Sequence, residues 1–274
     1  MGDFASQLQK AGIENPWREL RLLLSFVTGK SYEQILFDGD YKLSASEYDS
    51  LLKVVQRRCS HEPLSKIIGQ REFWGLTFKV TKDTLDPRPD SETLIEAVLK
   101  DFPDQTKPLR FLDFGTGTGC LLLSLLSEYP NAFGVGVDKS ETAILVALEN
   151  AGVLEFSDRA SFLISDWGQA LTGPFDCIIS NPPYIGLDDS LERNVKDFDP
   201  HSALYAGKDG LDAYRALFPE IGVFCHSQTK VFMEIGQGQR ELAAAIAKEN
   251  GFNLSVVRQD LGGIDRVLGF TQDQ

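Results

Sequence analysis

The stretch SNPPYIGL, Ser180–Leu187, directly follows the apolar run FDCIIS. Prolines at 182 and 183 remove two backbone donors and hold Asn181 and Pro182 in extended conformations. A strand that ends this way presents a stiff edge of acceptors, the Asn181 side-chain oxygen and the Pro182 carbonyl, with Pro183 stiffening it further. An NH2 group on a planar system supplies two matching donors, and Tyr184 can lie against its flat face. The lone pair of such a nitrogen is delocalised, which makes it a poor nucleophile. Two hydrogen bonds that fix the NH2 and favour positive charge on nitrogen, with a high effective concentration of electrophile, suit an in-line displacement by that nitrogen. Neither a metal nor a side-chain nucleophile is required. His61, His201 and His226 form no recognisable catalytic arrangement and receive no role. Taken alone, an Asn-Pro-Pro turn that merely ends a strand is an equal reading.

A second motif decides between them. RFLDFGTGTGCLLLSLL reads as a strand, a glycine-rich turn and a helix, and the turn presents backbone N–H groups to electron-rich atoms. A dinucleotide fingerprint anchored on Gly115 and Gly117 requires glycine at 120, where the chain has Cys120, so NAD is the weaker reading. Asp113, Gly115, Gly117 and Gly119, with Thr116 and Thr118 between the glycines, take the form DxGxGxG. This resembles the first motif of the class I methyltransferases, and the resemblance implies S-adenosylmethionine as cofactor and S-adenosylhomocysteine as its product. Twenty-three positions beyond Gly115, GVGVD ends the next strand in Asp138, whose carboxylate can accept from both ribose hydroxyls. The third strand ends in ISDWGQ, where Asp166 can accept from an adenine amino group and Trp167 offers an aromatic face. With SNPPY at the end of the fourth strand, these residues form one pocket at the carboxyl ends of parallel strands, and Asn181 faces both halves of it.

The elements that must hold these residues are legible in the hydrophobic pattern. Residues 1 to about 60 read as helical: Trp17, Leu20, Leu24 and Val27 recur at helical spacing, and SASEYDSLLKVVQRR opens on cap-like serines. Pro63 and Gly69 break that pattern, and REFWGLTFKVTKDTL reads as a hairpin turning near Gly75. A helix is expected from near Asp90. Beyond it, RFLDFG, AFGVGVD, ASFLIS, FDCIIS and TKVFMEIG alternate with helical stretches, which is the pattern of a mostly parallel α/β sheet.

Composition narrows the function classes. The 274 residues, 42% hydrophobic and 24% charged, suit a globular chain of one large domain or a domain with a small appendage. The longest apolar run is far below the ~18 residues of a membrane span. MGDFASQLQKAGIENP lacks a basic start and an apolar core, so it is not expected to act as a signal peptide, and the protein is expected in the cytoplasm with no membrane association. Cys59, Cys120, Cys177 and Cys225 are far apart and read as reduced packing residues rather than zinc ligands or disulfides. A formal net charge of −13 lacks the positive field that drives non-specific nucleic-acid binding.

The Asn-Pro-Pro-Tyr motif is shared by methyltransferases of adenine and cytosine amino groups and of glutamine side chains. The ordered set HEPLSKIIGQREFWGLTFKV, TLDPRPDSETLIE, NPPYI, HSALYAGKDGLDAYR, MEIGQGQ and DLGGIDRVLG resembles the bacterial peptide chain release factor glutamine methyltransferases, from about residue 61 to the C-terminus. The resemblance implies a class I methyltransferase fold, Rossmann-like with a mostly parallel seven-stranded sheet, preceded by a small all-helical domain and a β-hairpin. Ranges of 1–68 for the helical substrate-recognition domain, 69–85 for the hairpin linker and 86–274 for the methyltransferase domain follow. It also implies methyl transfer from S-adenosylmethionine to the side-chain nitrogen, N5, of the glutamine in the Gly-Gly-Gln loop of class 1 release factors. A monomer that binds no nucleic acid stably is expected. The sequence departs from the family at Asp86, at Lys66, at PRPDSE in place of PRPETE and at the GFTQDQ end. These departures leave the roles of Arg88 and Asp90 open, and PRPDSE reads as the start of a helix before it reads as a pocket wall. The rival readings are a DNA or RNA amino-group methyltransferase and a non-catalytic translation-associated binding module.

Overall fold

The computed structural model describes residues 2–37 and 41–273; Met1, residues 38–40 and Gln274, which the ranges 1–68 and 86–274 and the GFTQDQ end include, lie outside the described residues. The chain forms two compact units, Met1–Gln70 with Leu191–Phe198, and Arg71–Ser190 with Asp199–Gln274. No described helix is long and apolar enough to cross a membrane.

The first unit is helical: α1 (Gly2–Lys10), α2 (Pro16–Thr28), α3 (Tyr32–Phe37), α4 (Ala45–Cys59) and α5 (Leu64–Ile68). Pro16 starts α2, where its missing N–H costs nothing. Ser44 starts α4 with a full capping box, its hydroxyl accepting from the Glu47 N–H while the Glu47 carboxylate accepts from the Ser44 N–H. Leu8, Leu20, Leu23, Leu51 and Val55 are fully buried in one core. Trp17, on the apolar stripe read from the sequence, is 50% exposed, because the stripe is buried only along the middle of α2 while Trp17 lies in its first turn.

A two-stranded hairpin follows, β1 (Gln70–Phe73) and β2 (Leu76–Lys79), all but its first residue in the second unit. Trp74 and Gly75 both take positive φ, 52° and 71°, the left-handed pair that a tight two-residue turn requires. After a 3-10 turn at Pro89–Ser91 come α6 (Glu92–Asp101), β3 (Arg110–Phe114), α7 (Cys120–Glu128), β4 (Phe133–Asp138), α8 (Glu141–Val153), β5 (Ala160–Ile164) and β6 (Cys177–Ser180). The short helices α9 (Arg193–Lys196), in the excursion that joins the first unit, and α10 (His201–Leu204) precede α11 (Asp212–Ile221), β7 (Lys230–Glu234), α12 (Arg240–Glu249), β8 (Phe252–Gln259) and β9 (Asp265–Gln272).

The strands form the expected seven-stranded sheet in the order β5-β4-β3-β6-β7-β9-β8. All neighbours from β5 to β7 run parallel, and β9 is antiparallel to both β7 and β8. The central strands β3, from Phe111 on, and β6 are buried at every position because helices cover both faces. Phe111 packs into the core on one face with Leu94, Val98 and Leu122, while Leu112 packs into the other with Tyr214, Leu217 and Phe218. The edge hairpin β8–β9 is absent from the alternation read in the sequence, since its strands face each other across Gly262–Gly263 with no intervening helix.

Candidate active site

Strand order places the site. The chain leaves β3 toward β4 and β5, then returns to build outward from β6, so the crevice of the doubly wound sheet opens between the carboxyl ends of β3 and β6. Phe114 of β3 is in register with Ser180 of β6, so Gly115 and Asn181 leave adjacent strands at the same level. A cleft of about 790 Å³, including its open mouth, lies there.

Gly115, Gly117, Asp138, Asp166, Trp167, Asn181 and Pro183 all line the cleft. Gly115 and Gly117 adopt φ of 71° and 55°, and no atom lies within 4 Å of where a Gly115 side chain would begin, so a ligand can approach the backbone itself. Asp138 accepts from the Gly117 N–H at 3.0 Å through Oδ2 and from the Ser140 N–H at 2.9 Å through Oδ1. Each oxygen keeps one lone pair beyond these bonds, and the residue lines the cleft. Trp167 takes a left-handed φ of 50°, an unfavourable conformation for a large side chain, while its ring meets Phe114 edge-on at 6.4 Å.

Other residues read from the sequence stand behind that wall. Asp113 is buried and accepts from the Thr116 hydroxyl at 2.6 Å, which closes the glycine turn from beneath. Its Oδ1 makes no hydrogen bond, and burial pushes its carboxyl up to about 7. Thr116 and Thr118 are buried, and Gly119, at φ 79°, would set a side chain tightly at 3.2 Å from Phe162 and 3.3 Å from Leu123. These four residues are not among those that line the cleft. Pro182 is likewise buried, while Tyr184 is only half-buried and turns its hydroxyl to Glu234 Oε1 at 3.2 Å.

Arg88 donates to Asp199 at 2.5 Å, and Asp199 also accepts from the Asp86 backbone N–H at 3.2 Å. This ties the Pro-Arg-Pro segment to the residue before Pro200, which lines the cleft with Ser202 and Ala203. Asp90 pairs with Arg266 at 3.3 Å, away from the cleft wall. Sequence reasoning missed Asp83, Thr84 and Leu85, assigned to the linker, and Ser140. Only Ser140 carried a signal, as the cap of the helix after Asp138, where its hydroxyl accepts from the Ala143 N–H.

Residues 105–205 match a methyltransferase domain family, and residues 2–69 match the PrmC N-terminal domain. A methyltransferase from Pyrococcus furiosus, 17% identical, superposes with a TM-score of 0.54 over 73% of this chain and 90% of that structure. The ribosomal protein L11 methylase from Lactobacillus delbrueckii, 19% identical, gives 0.51 over 72% and 86%. These two share the fold alone. Fold and domain match together define a class I methyltransferase. Among curated relatives, the release factor glutamine methyltransferase of Rhodospirillum rubrum is 42% identical over 96% of this chain and 81% of its own length. That of Agrobacterium fabrum is 38% identical over 96% and 93%. The chain belongs to the release factor glutamine methyltransferase family.

Proposed function

We propose that this enzyme transfers a methyl group from S-adenosylmethionine to the N5 side-chain nitrogen of the glutamine in the Gly-Gly-Gln loop of class 1 release factors. The observation that carries the reading is the register of Phe114 with Ser180, which sets the glycine turn and Asn181 side by side in one cleft, in a chain of this family.

The residues present fit the cofactor. The open backbone at Gly115 and Gly117 suits a close-lying ligand, and the free lone pairs of Asp138 match a ribose diol. Asp166 would accept from the adenine amino group and Trp167 would lie along its ring. When bound, S-adenosylmethionine supplies an electrophilic methyl group on positively charged sulfur. Asn181 Oδ1 and the Pro182 carbonyl accept from the two N–H groups of the substrate amide, hold it in the cleft and favour positive charge on its nitrogen. Pro183 keeps the edge rigid, and the Tyr184 ring covers the flat face of the amide.

Incubating the purified enzyme with an intact release factor and S-adenosylmethionine, then fragmenting the product by mass spectrometry, should find one added methyl on the Gly-Gly-Gln glutamine. A methylated nucleic acid and an unmodified release factor would refute the reading.

A further inference from the structure

Behind Asn181 runs a chain of buried polar groups that the transfer reaction itself does not use. The Asn181 Nδ2 lies 3.0 Å from Ser91 Oγ, and Ser91 Oγ lies 2.6 Å from Glu234 Oε2. Ser91 and Glu234 are 3% and 1% exposed. The other oxygen of Glu234 accepts from the Tyr184 hydroxyl at 3.2 Å, so one carboxylate braces both ends of the Asn-Pro-Pro-Tyr motif. The Tyr214 hydroxyl donates to the Glu234 backbone carbonyl at 2.9 Å and fixes the strand end that carries it.

We propose that Ser91 and Glu234 are positioning residues that fix the Asn181 amide with its oxygen toward the cleft. The inference rests on the reading of Asn181 as the acceptor for a substrate NH2. A side-chain amide is nearly symmetric in shape, so sterics alone do not choose which end faces the ligand. Hydrogen-bond direction does. A serine hydroxyl has one proton, and an ionised carboxylate only accepts, so Ser91 commits that proton to Glu234. Its remaining lone pairs can face only a donor, which must be the Asn181 NH2. Oδ1 is thereby turned to the cleft, where it meets the substrate N–H. The opposite orientation would set NH2 against NH2.

Protonation of Glu234 would reverse the order, since the carboxyl could then donate to Ser91 and free its proton for Asn181 Oδ1. The charged and titratable groups around Glu234 are Arg266 of β9, which favours ionisation, Asp90, which opposes it, and the phenols of Tyr184 and Tyr214. Cys120 of α7 is also within electrostatic reach.

The test uses the full chain at pH 8, comparing wild type with Ser91→Ala, Ser91→Thr and Glu234→Gln. Turnover on intact release factor is measured beside cofactor affinity, which reports folding. In parallel, solvent exchange of the Asn181 side-chain NH2 is followed by NMR of the asparagine-labelled, ligand-free protein. Ser91→Ala and Glu234→Gln should lower kcat roughly tenfold or more with cofactor affinity within about twofold, while Ser91→Thr restores the hydroxyl and rescues turnover. Exchange at Asn181 should accelerate in Ser91→Ala and stay slow in Ser91→Thr. Full turnover in Ser91→Ala, or Asn181 exchange that ignores the substitution, would overturn the proposal. Should Glu234→Gln not fold, the two serine variants decide the matter. If wild type left the release factor unmodified while exchange responded as described, the substrate reading would fall and the relay would stand.

Discussion

Asp138 and Asn181 face one cleft but should fail differently when truncated. Asp138→Ala removes the two acceptors proposed for the ribose, each worth on the order of 1.5–3 kcal/mol and partly replaced by water. Calorimetry should show cofactor affinity falling at least tenfold. Asn181→Ala should leave that affinity nearly intact and cut turnover by roughly a hundredfold, because it removes a group that acts on the reacting nitrogen. Near-normal turnover would remove Asn181 from the chemistry. Glu234 offers a separate check through pH. Burial raises its carboxyl from an ordinary 4.5 to about 7, so in that interval the folded protein keeps a proton that the unfolded chain has lost. Stability from this group therefore falls as pH rises from 4.5 to 7, by at most about 1.4 kcal/mol per pH unit. Urea melts at several pH values should show that slope in wild type and a flatter one in Glu234→Gln. At this scale the sequence displayed the cleft-lining Asp138, Asp166 and Asn181, whose chemistry shows in their type and position. It hid Ser91 and Glu234, because what they do depends on a contact across 143 positions of chain.

The elements were legible in proportion to how local their signals are. Five parallel strands stood out as apolar runs, and the Ser44 capping box and the turn at Trp74–Gly75 lie within four residues each. The edge hairpin β8–β9 did not, since its burial is uneven and its pattern mixes polar and apolar residues on both faces. Nor did the pattern show which face of β4 must stay bare. At Gly136 an added methyl would stand 2.7 Å from the Phe162 ring and 2.7 Å from the Thr116 hydroxyl. Gly136→Ala should therefore displace both the neighbouring strand's ring and the threonine that closes the glycine turn. We expect a loss of about 1–3 kcal/mol from overpacking, read as a lower urea midpoint, together with weaker cofactor binding. A midpoint equal to wild type would show that Phe162 yields without cost.

For the whole molecule, the open question is how one glutamine is chosen among many. A single amide flanked by glycines offers little apolar area and no charge, so selectivity requires a second contact remote from the reacting atoms. We propose that the helical unit supplies it. Trp17 and Phe37 stand 50% and 83% exposed there, and large aromatics of this kind anchor protein interfaces. Replacing both with alanine should raise KM for an intact release factor about tenfold or more and leave a short Gly-Gly-Gln peptide unaffected. Equal effects on both substrates would place the selection elsewhere. The helical unit also has a divided composition, for Leu191–Phe198 belongs to it although residues 71–190 intervene. A chain emerging from the ribosome in order can assemble α1 to α5 early, yet must wait until four strands of the seven-stranded sheet have been synthesised before that unit receives its last segment. The first part to be made is thus among the later parts to be finished, and its completion is timed by the growth of its neighbour.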